Sequence, residues 1–231
     1  MEQSAVFCSG QLDLSALSIP CIRQKLKALG PRPVLSDLGV SDALNGEHKA
    51  LSVTPGREYW RPTLNNTRPA GVLVPLVDRP DGLNLLLTRR TDHLKDHAGQ
   101  ISFPGGGYEQ HDTSIVATAL RETNEEIGVA EDRVTVLGTL PQYVTITAYA
   151  ITPVVGVIVP PYDMRLDPNE VADAFEVPLA HVLNPANHQR HFREEKGVRR
   201  GFYAIPYGDR LIWGATAGIL VNFSRMLGED D

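Results

Sequence analysis

Residues 105 to 129, GGGYEQHDTSIVATALRETNEEIGV, constrain this chain more than any other stretch. Three glycines follow Phe103-Pro104, and glycine lets backbone bend and approach a ligand closely. Helical periodicity comes next, with Val116, Leu120, Thr123 and Ile127 recurring along one mostly apolar side. Asp112 and Thr113 both suit an N-cap, and Gly128 suits the C-terminal stop. Glu122, Glu125 and Glu126 share a further face at spacings of i, i+3 and i+4. Like charges so placed repel by roughly 0.2–0.5 kcal/mol per pair in an exposed helix, and Arg121 is the one cation within the helical sequence. Two readings fit. One is an acidic, solvated surface helix; the other is a set of acceptor-only groups gathered for a hard divalent cation, which takes oxygen ligands.

The rest of the chain bounds the choice. With 231 residues, a net charge of −6 and 42% hydrophobic residues, it is long enough for one sizeable core or a core domain with an extension. Mild acidity argues against general nucleic-acid binding, which needs a basic surface for phosphates. Cys8 and Cys21 make no metal or disulfide framework, so free thiols in a reducing cytosol are expected, with a bridge between them as the alternative. The opening MEQSAVFCSG lacks the basic and apolar regions of a signal peptide. Val154 to Val159, the longest apolar run, is too short to span a bilayer. A cytoplasmic protein with neither membrane nor nucleic-acid partner is the expectation, and a homodimer stays open.

In chain order, residues 1 to 66 read as an extension packing on a main domain of residues 67 to 231. Cys21 to Leu29 predicts a short amphipathic helix after Pro20, with Ile22 and Leu26 facing inward. Ser36 to Asn45 predicts a weaker helix, and Pro55, Gly56 and Pro62 break regular structure beyond it. Gly71 to Val77 and Leu83 to Thr88 predict a hairpin around Arg79-Pro-Asp-Gly82. Val134 to Leu140 and Ile151 to Val159 predict further strands. Asn169 to Phe175 reads as helix or loop, followed by a short apolar segment to Leu183. Arg200 to Pro206 and Arg210 to Trp213 predict a second hairpin, and Thr216 to Leu227 a closing helix. Strands and helices mixed in this order define a layered α/β domain.

Read whole, the first stretch resembles the Nudix box, G-x5-E-x7-R-E-U-x-E-E-x-G-U, where U is aliphatic. Arg121-Glu122, Glu125-Glu126, Gly128 and Val129 match its second half. Thr123 stands where an aliphatic residue is usual. Counted from Gly106, the upstream carboxylate falls on Asp112, one residue farther from Arg121 than usual; counted from Gly107, it falls on Thr113. Asp112 is the preferred match. The resemblance implies a Nudix fold, a mixed sheet sandwiched between helices, with Glu122, Glu125 and Glu126 holding Mg²⁺ or Mn²⁺. The carbonyl of Gly105 or Gly106 would join them, and Arg121 would hold a glutamate by a salt bridge.

Upstream, Leu86-Leu-Thr-Arg-Arg90, Lys95, Gly99 and Phe103-Pro-Gly-Gly106 resemble the coenzyme A pyrophosphatase signature L-L-T-x-R-[SA]-x3-R-x3-G-x3-F-P-G-G. Thr91 and Lys95 depart from it. That branch cleaves CoA and its derivatives to 3′,5′-ADP and a 4′-phosphopantetheine product. A site for CoA needs cations besides the metal, and Arg89, Arg90, Lys95 and His97 cluster before the glycines. Arginine forks pair bidentately with phosphate, whereas lysine acts more as a point charge. Alternation at a strand end would turn only one of Arg89 and Arg90 into the pocket, and the signature selects Arg90. The general base is left between Glu125 and the run Asp167, Glu170, Asp173 and Glu176, a run that also reads as solvated surface. Against CoA hydrolysis stand hydrolysis of another diphosphate, such as ADP-ribose or a dinucleotide, and a ligand-sensing Nudix domain without catalysis.

Overall fold

A computed structural model describes residues 14, 17–28, 30, 33–45, 66–93, 98–195 and 197–228. Cys8, Lys95, His97 and the breaks from Pro55 to Pro62 lie outside the described residues. The elements are α1 (Ile19–Ala28), β1 (Leu35–Ser36), α2 (Asp37–Leu44), β2 (Arg68–Arg79), β3 (Gly82–Arg90), β4 (Ile101–Ser102) and β5 (Gly105–Gly107). Next along the chain come α3 (Ile115–Ile127), β6 (Val134–Thr139), β7 (Tyr143–Val144), β8 (Tyr149–Ile158), β9 (Val171–Pro178) and α4 (Leu179–Leu183). The chain closes with β10 (Gln189–Glu195), β11 (Val198–Tyr207), β12 (Arg210–Trp213) and α5 (Ala215–Gly228).

Apolar alternation along the central strands sets the layers, because successive side chains of a strand point to opposite faces. Val72, Val74 and Leu76 of β2, Leu85 and Leu87 of β3 and Val155 and Val157 of β8 enter one core. That core also takes Ile22 and Leu26 of α1, Leu179 and Leu183 of α4, and Leu220, Phe223 and Leu227 of α5. Leu86, Val77 and Ile158 face the other way, onto Ile127 and Val129, while Leu73 and Val154 meet Ala119. A mixed sheet thus lies between α3 on one side and α1, α4 and α5 on the other. Its path is β1-β7-β8-β2-β3-β4, with β5 on β2, β6 on β8 and β9 on β3. β2 and β8 run parallel, as do β1 and β7; the other pairs are antiparallel. β10, β11 and β12 form a separate antiparallel sheet.

Three sequence expectations change. Of residues 169 to 175, only the first two lie in a turn; Val171 onward forms β9, registered against β3 from Asn84 to Arg90. Its Ala, Asp and Glu content suits many conformations. The decision comes from a distant partner strand and from two arginines that neutralise its acids: Arg79 on Glu176, and Arg210 on Asp173 at 2.7 Å. The N-cap of α3 is Ser114, whose hydroxyl accepts from the Ala117 amide at 3.1 Å, instead of Asp112 or Thr113. The glycines after Pro104 do not form a free bend. They are the strand β5, paired with Ala70 to Val72.

Candidate functional site

The site is built where β5, α3 and the end of β3 meet. Gly105 has φ +148°, and a side chain there would collide with the Gly71 carbonyl and Val72. Only glycine brings this strand so close to β2. At Gly106 a Cβ would lie 2.5 Å from the carboxyl carbon of Glu122, so the bare backbone leaves room for that carboxylate. Gly128 ends α3 in the left-handed region at φ 74°, its amide bonded to the Asn124 carbonyl. The next carbonyls are taken by the incoming loop, with Arg165 N–H donating to Ile127 and Asp167 N–H to Glu126, both at 2.9 Å.

Arg121 is the hub. Its Nε and Nη2 grip the two oxygens of Asp112 at 2.8 and 3.1 Å, and Nη1 reaches Glu125 at 2.8 Å and Glu122 at 3.0 Å. Nη2 also donates to the Gly107 carbonyl at 3.2 Å, tying α3 to β5. The Asp112 side chain is only 2% exposed and also accepts from the Glu109 amide and the Thr118 hydroxyl, each at 2.9 Å. These donors, Arg121 first, hold its carboxyl well below the usual carboxylate range. The displaced carboxylate of the box is therefore the anchor of Arg121. Thr123, in place of an aliphatic residue, is buried with its hydroxyl donating to the Ala119 carbonyl at 2.6 Å.

The three glutamates differ in environment. Glu125 is mostly exposed beside Arg121. Burial raises the pKa of Glu122, against the pull of Arg121. Glu126 is 4% exposed, and burial pushes its carboxyl up to about 8, opposed chiefly by Arg90. Its contacts are long: the Gly105 amide at 3.3 Å and Arg90 Nη1 at 3.8 Å. Arg89 turns elsewhere, towards Asp92 at 3.6 Å. Arg90 sits at a bulge where β3 shifts register against β9, and bulges re-aim side chains in this way. Its Nε is buried without a hydrogen-bond partner among the described residues.

Acceptors outnumber donors here, and the last turn of a helix disfavours carboxylates through its macrodipole. A hard divalent cation answers both imbalances. No group of three or more His, Cys, Asp or Glu among the described residues is arranged to hold a metal ion as it stands. Arg121 draws two of the three glutamates towards itself, while Glu126 points to Gly105 and Arg90. The donor chemistry nonetheless suits such an ion: a buried, weakly partnered carboxylate with Glu122 and Glu125 on the same helix.

Of the downstream acids, Glu176 is bound by Arg79, Asn84 and Tyr162, Asp173 by Arg210, and Asp167 accepts from Asn169. Glu170 differs, its charge raising the pKa of both Glu122 and Glu126. The sequence names Glu170 only as one of four, because nothing in its spacing sets it apart from the other three.

An α/β sheet with a carboxylate-lined helix and a cationic strand end has the chemistry that a metal-dependent hydrolase of a phosphorylated small molecule needs. Comparison with known proteins agrees, and the chain belongs to the Nudix hydrolase family: the NUDIX domain matches residues 67–198. An Escherichia coli O6:H1 protein named "Uncharacterized Nudix hydrolase NudL" is 41% identical over 175 residues, covering 74% of this chain and 91% of that one. A Shigella boydii serotype 18 protein of the same name is 40% identical over the same shares. Among solved structures, the MutT protein from Methanosarcina mazei Go1 aligns over 71% of this chain and 98% of its own, at 18% identity and a TM-score of 0.47. Divalent metal ions serve Nudix hydrolases generally. No helix among the described residues is long and apolar enough to cross a membrane.

Proposed function

We propose that this chain hydrolyses the diphosphate of coenzyme A or a CoA derivative, giving 3′,5′-ADP and a 4′-phosphopantetheine product. The reading is carried by Arg90, the arginine of the Leu86–Gly106 signature, which lies beside Glu126 with an Nε that has no hydrogen-bond partner among the described residues. A cation with spare donors beside buried carboxylates suits a ligand that brings its own phosphate oxygens. Glu122, Glu125 and Glu126 would hold Mg²⁺ or Mn²⁺, which supplies charge neutralisation at the diphosphate and an activated water. Arg121, fixed by Asp112, orients Glu122 and Glu125. Gly105 and Gly106 keep the backbone close to the phosphates, and Lys95 adds charge from the same signature. Residues 1 to 66 act as an extension of the catalytic domain, with α1 packed into its core. The localisation is cytoplasmic.

Hydrolysis of another nucleoside diphosphate derivative, such as ADP-ribose or a dinucleotide, is the second reading, because Glu122, Glu125, Glu126 and Arg121 serve any diphosphate. Incubating the protein with CoA and Mg²⁺ and identifying products by mass decides between them. CoA hydrolysis predicts 3′,5′-ADP in equal amount with 4′-phosphopantetheine. Intact CoA alongside cleaved ADP-ribose would favour the second reading.

A further inference from the structure

The small sheet ends on an open edge. β10 pairs with β11 along its whole length, from Gln189 against Ala204 to Glu195 against Val198, and with no other strand among the described residues. The hydrogen bonds of β11 reveal which way the β10 backbone faces. Gly201, opposite Phe192, donates its amide to the Ser41 hydroxyl at 3.0 Å. Arg199, opposite Glu194, accepts at its carbonyl from the Asn45 side chain at 3.2 Å. Antiparallel partners either exchange both hydrogen bonds or turn both away from each other. Phe192 and Glu194 therefore aim N–H and C=O at the open edge, and Arg190, two residues before Phe192, does the same. The side chains of these three residues share one face, and all are exposed, Phe192 by 40%. An unpaired edge of this kind is a template for another strand.

We infer that a second copy of this chain docks here, β10 antiparallel to β10 about a two-fold axis through Phe192, joining the two small sheets into one. The charges along the edge select both this occupant and this register. The axis sets Arg190 of each copy opposite Glu194 of the other and Phe192 opposite itself, and it pairs all 7 residues of the strand. Centring on Arg190, His191, Arg193 or Glu194 shortens the overlap and sets that residue against its own copy. Directly opposed unlike charges and aromatic pairs stabilise a ladder, whereas like charges oppose it. Charges that merely blunt an edge need no such symmetry. Arg190, Phe192 and Glu194 each exchange two backbone hydrogen bonds with the facing residue. The contact is isologous, so it closes on itself and leaves no free β10 edge for further copies.

Sedimentation velocity of the full chain, across a range of protein concentrations, tests this. Wild type should sediment as a dimer that dissociates on dilution. Arg190→Glu and Glu194→Arg each set like charges opposite one another on both sides of the axis, and each should weaken association at least about tenfold. Mixed together, the two variants should associate as wild type does, because an acidic edge then faces a basic one. That rescue requires both variants to be folded and position 190 to face position 194. Phe192→Pro removes an N–H that faces the open edge, where strands tolerate proline. It should be monomeric with an unchanged far-UV circular dichroism spectrum. A wild type that stays monomeric at every concentration would overturn the inference. So would dimers unaffected by Glu194→Arg and Phe192→Pro, or a mixture of the two charge variants no more associated than either alone.

Discussion

Replacing Glu126 by glutamine removes a charge from the least exposed carboxylate of α3 while keeping its shape. The wild-type carboxyl moves from an ordinary value of 4.5 to about 8 on folding, chiefly through burial. The native state therefore binds more protons than the unfolded chain between those values, and stability falls as pH rises through that window. The contribution is fully present below the unfolded value and lost above the folded one. At ~1.4 kcal/mol per pH unit, the whole span is worth about 5 kcal/mol, which relaxation and water penetration reduce to a few kcal/mol. Glutamine carries no such dependence. For a chain of this size, where 1 kcal/mol moves Tm by about 2–4 °C, the variant should gain on wild type by about 10 °C between pH 5.5 and pH 8.5. Thermal unfolding with EDTA, run on both proteins across that range, measures the difference and cancels the titration of all other groups. Added Mg²⁺ should erase the advantage by stabilising the ionised wild-type site. Parallel Tm–pH curves would refute the reasoning, showing that Glu126 is ionised throughout or solvated in the native protein.

Other perturbations separate fold from chemistry. Gly106→Ala should fold, because the atoms nearest its Cβ belong to the movable end of Glu122, yet lose at least about tenfold in kcat by displacing that carboxylate; Gly105→Ala, meeting backbone at positive φ, should instead lose several degrees of Tm, and the reverse ranking would contradict the geometry. Glu125→Gln should abolish most turnover and reduce the Mg²⁺-induced Tm rise, with the metal-free fold intact, since Glu125 is exposed and its polar partner among the described residues is Arg121; near-wild-type turnover would remove it from the metal set. Deleting residues 1 to 66 takes away Ile22 and Leu26, both buried in the main core, so solubility should fall while product mass spectra show the same bond cut; a soluble truncation with a changed substrate preference would place that segment in the pocket.

How much of the fold and site is legible in the sequence depends on physical range. Helix α3 is readable because its signals are local: helical spacing, a glycine stop and carboxylates crowded on one face. The first hairpin is readable for the same reason, with a turn sequence between two apolar runs. The role of Asp112 is not, since the spacing leaves two alignments and only the fork from Arg121, at 2.8 and 3.1 Å, decides between them. Strand β9 and edge strand β10 carry charges that hide them. Arg79 and Arg210 neutralise the acids of β9 from elsewhere in the chain. In β10, GlnArgHisPheArg owes its extended form to pairing with β11 and to Arg199 stacked 3.9 Å over the Phe192 ring.

The comparison of CoA with dephospho-CoA tests the central claim most directly, because the two share diphosphate and adenosine and differ only in the 3′-phosphate. If Arg90 and Lys95 read that group, its removal loses charge-assisted hydrogen bonds worth roughly 1.5–3 kcal/mol each when protected, less where salt screens them. The account predicts a tenfold to hundredfold lower kcat/KM for dephospho-CoA, at about 1.4 kcal/mol per factor of ten. Lys95→Ala should narrow that ratio and Arg90→Ala narrow it further, with diphosphate hydrolysis persisting in both. Equal kcat/KM for the two substrates in the wild type, with both variants losing activity on both, would contradict it.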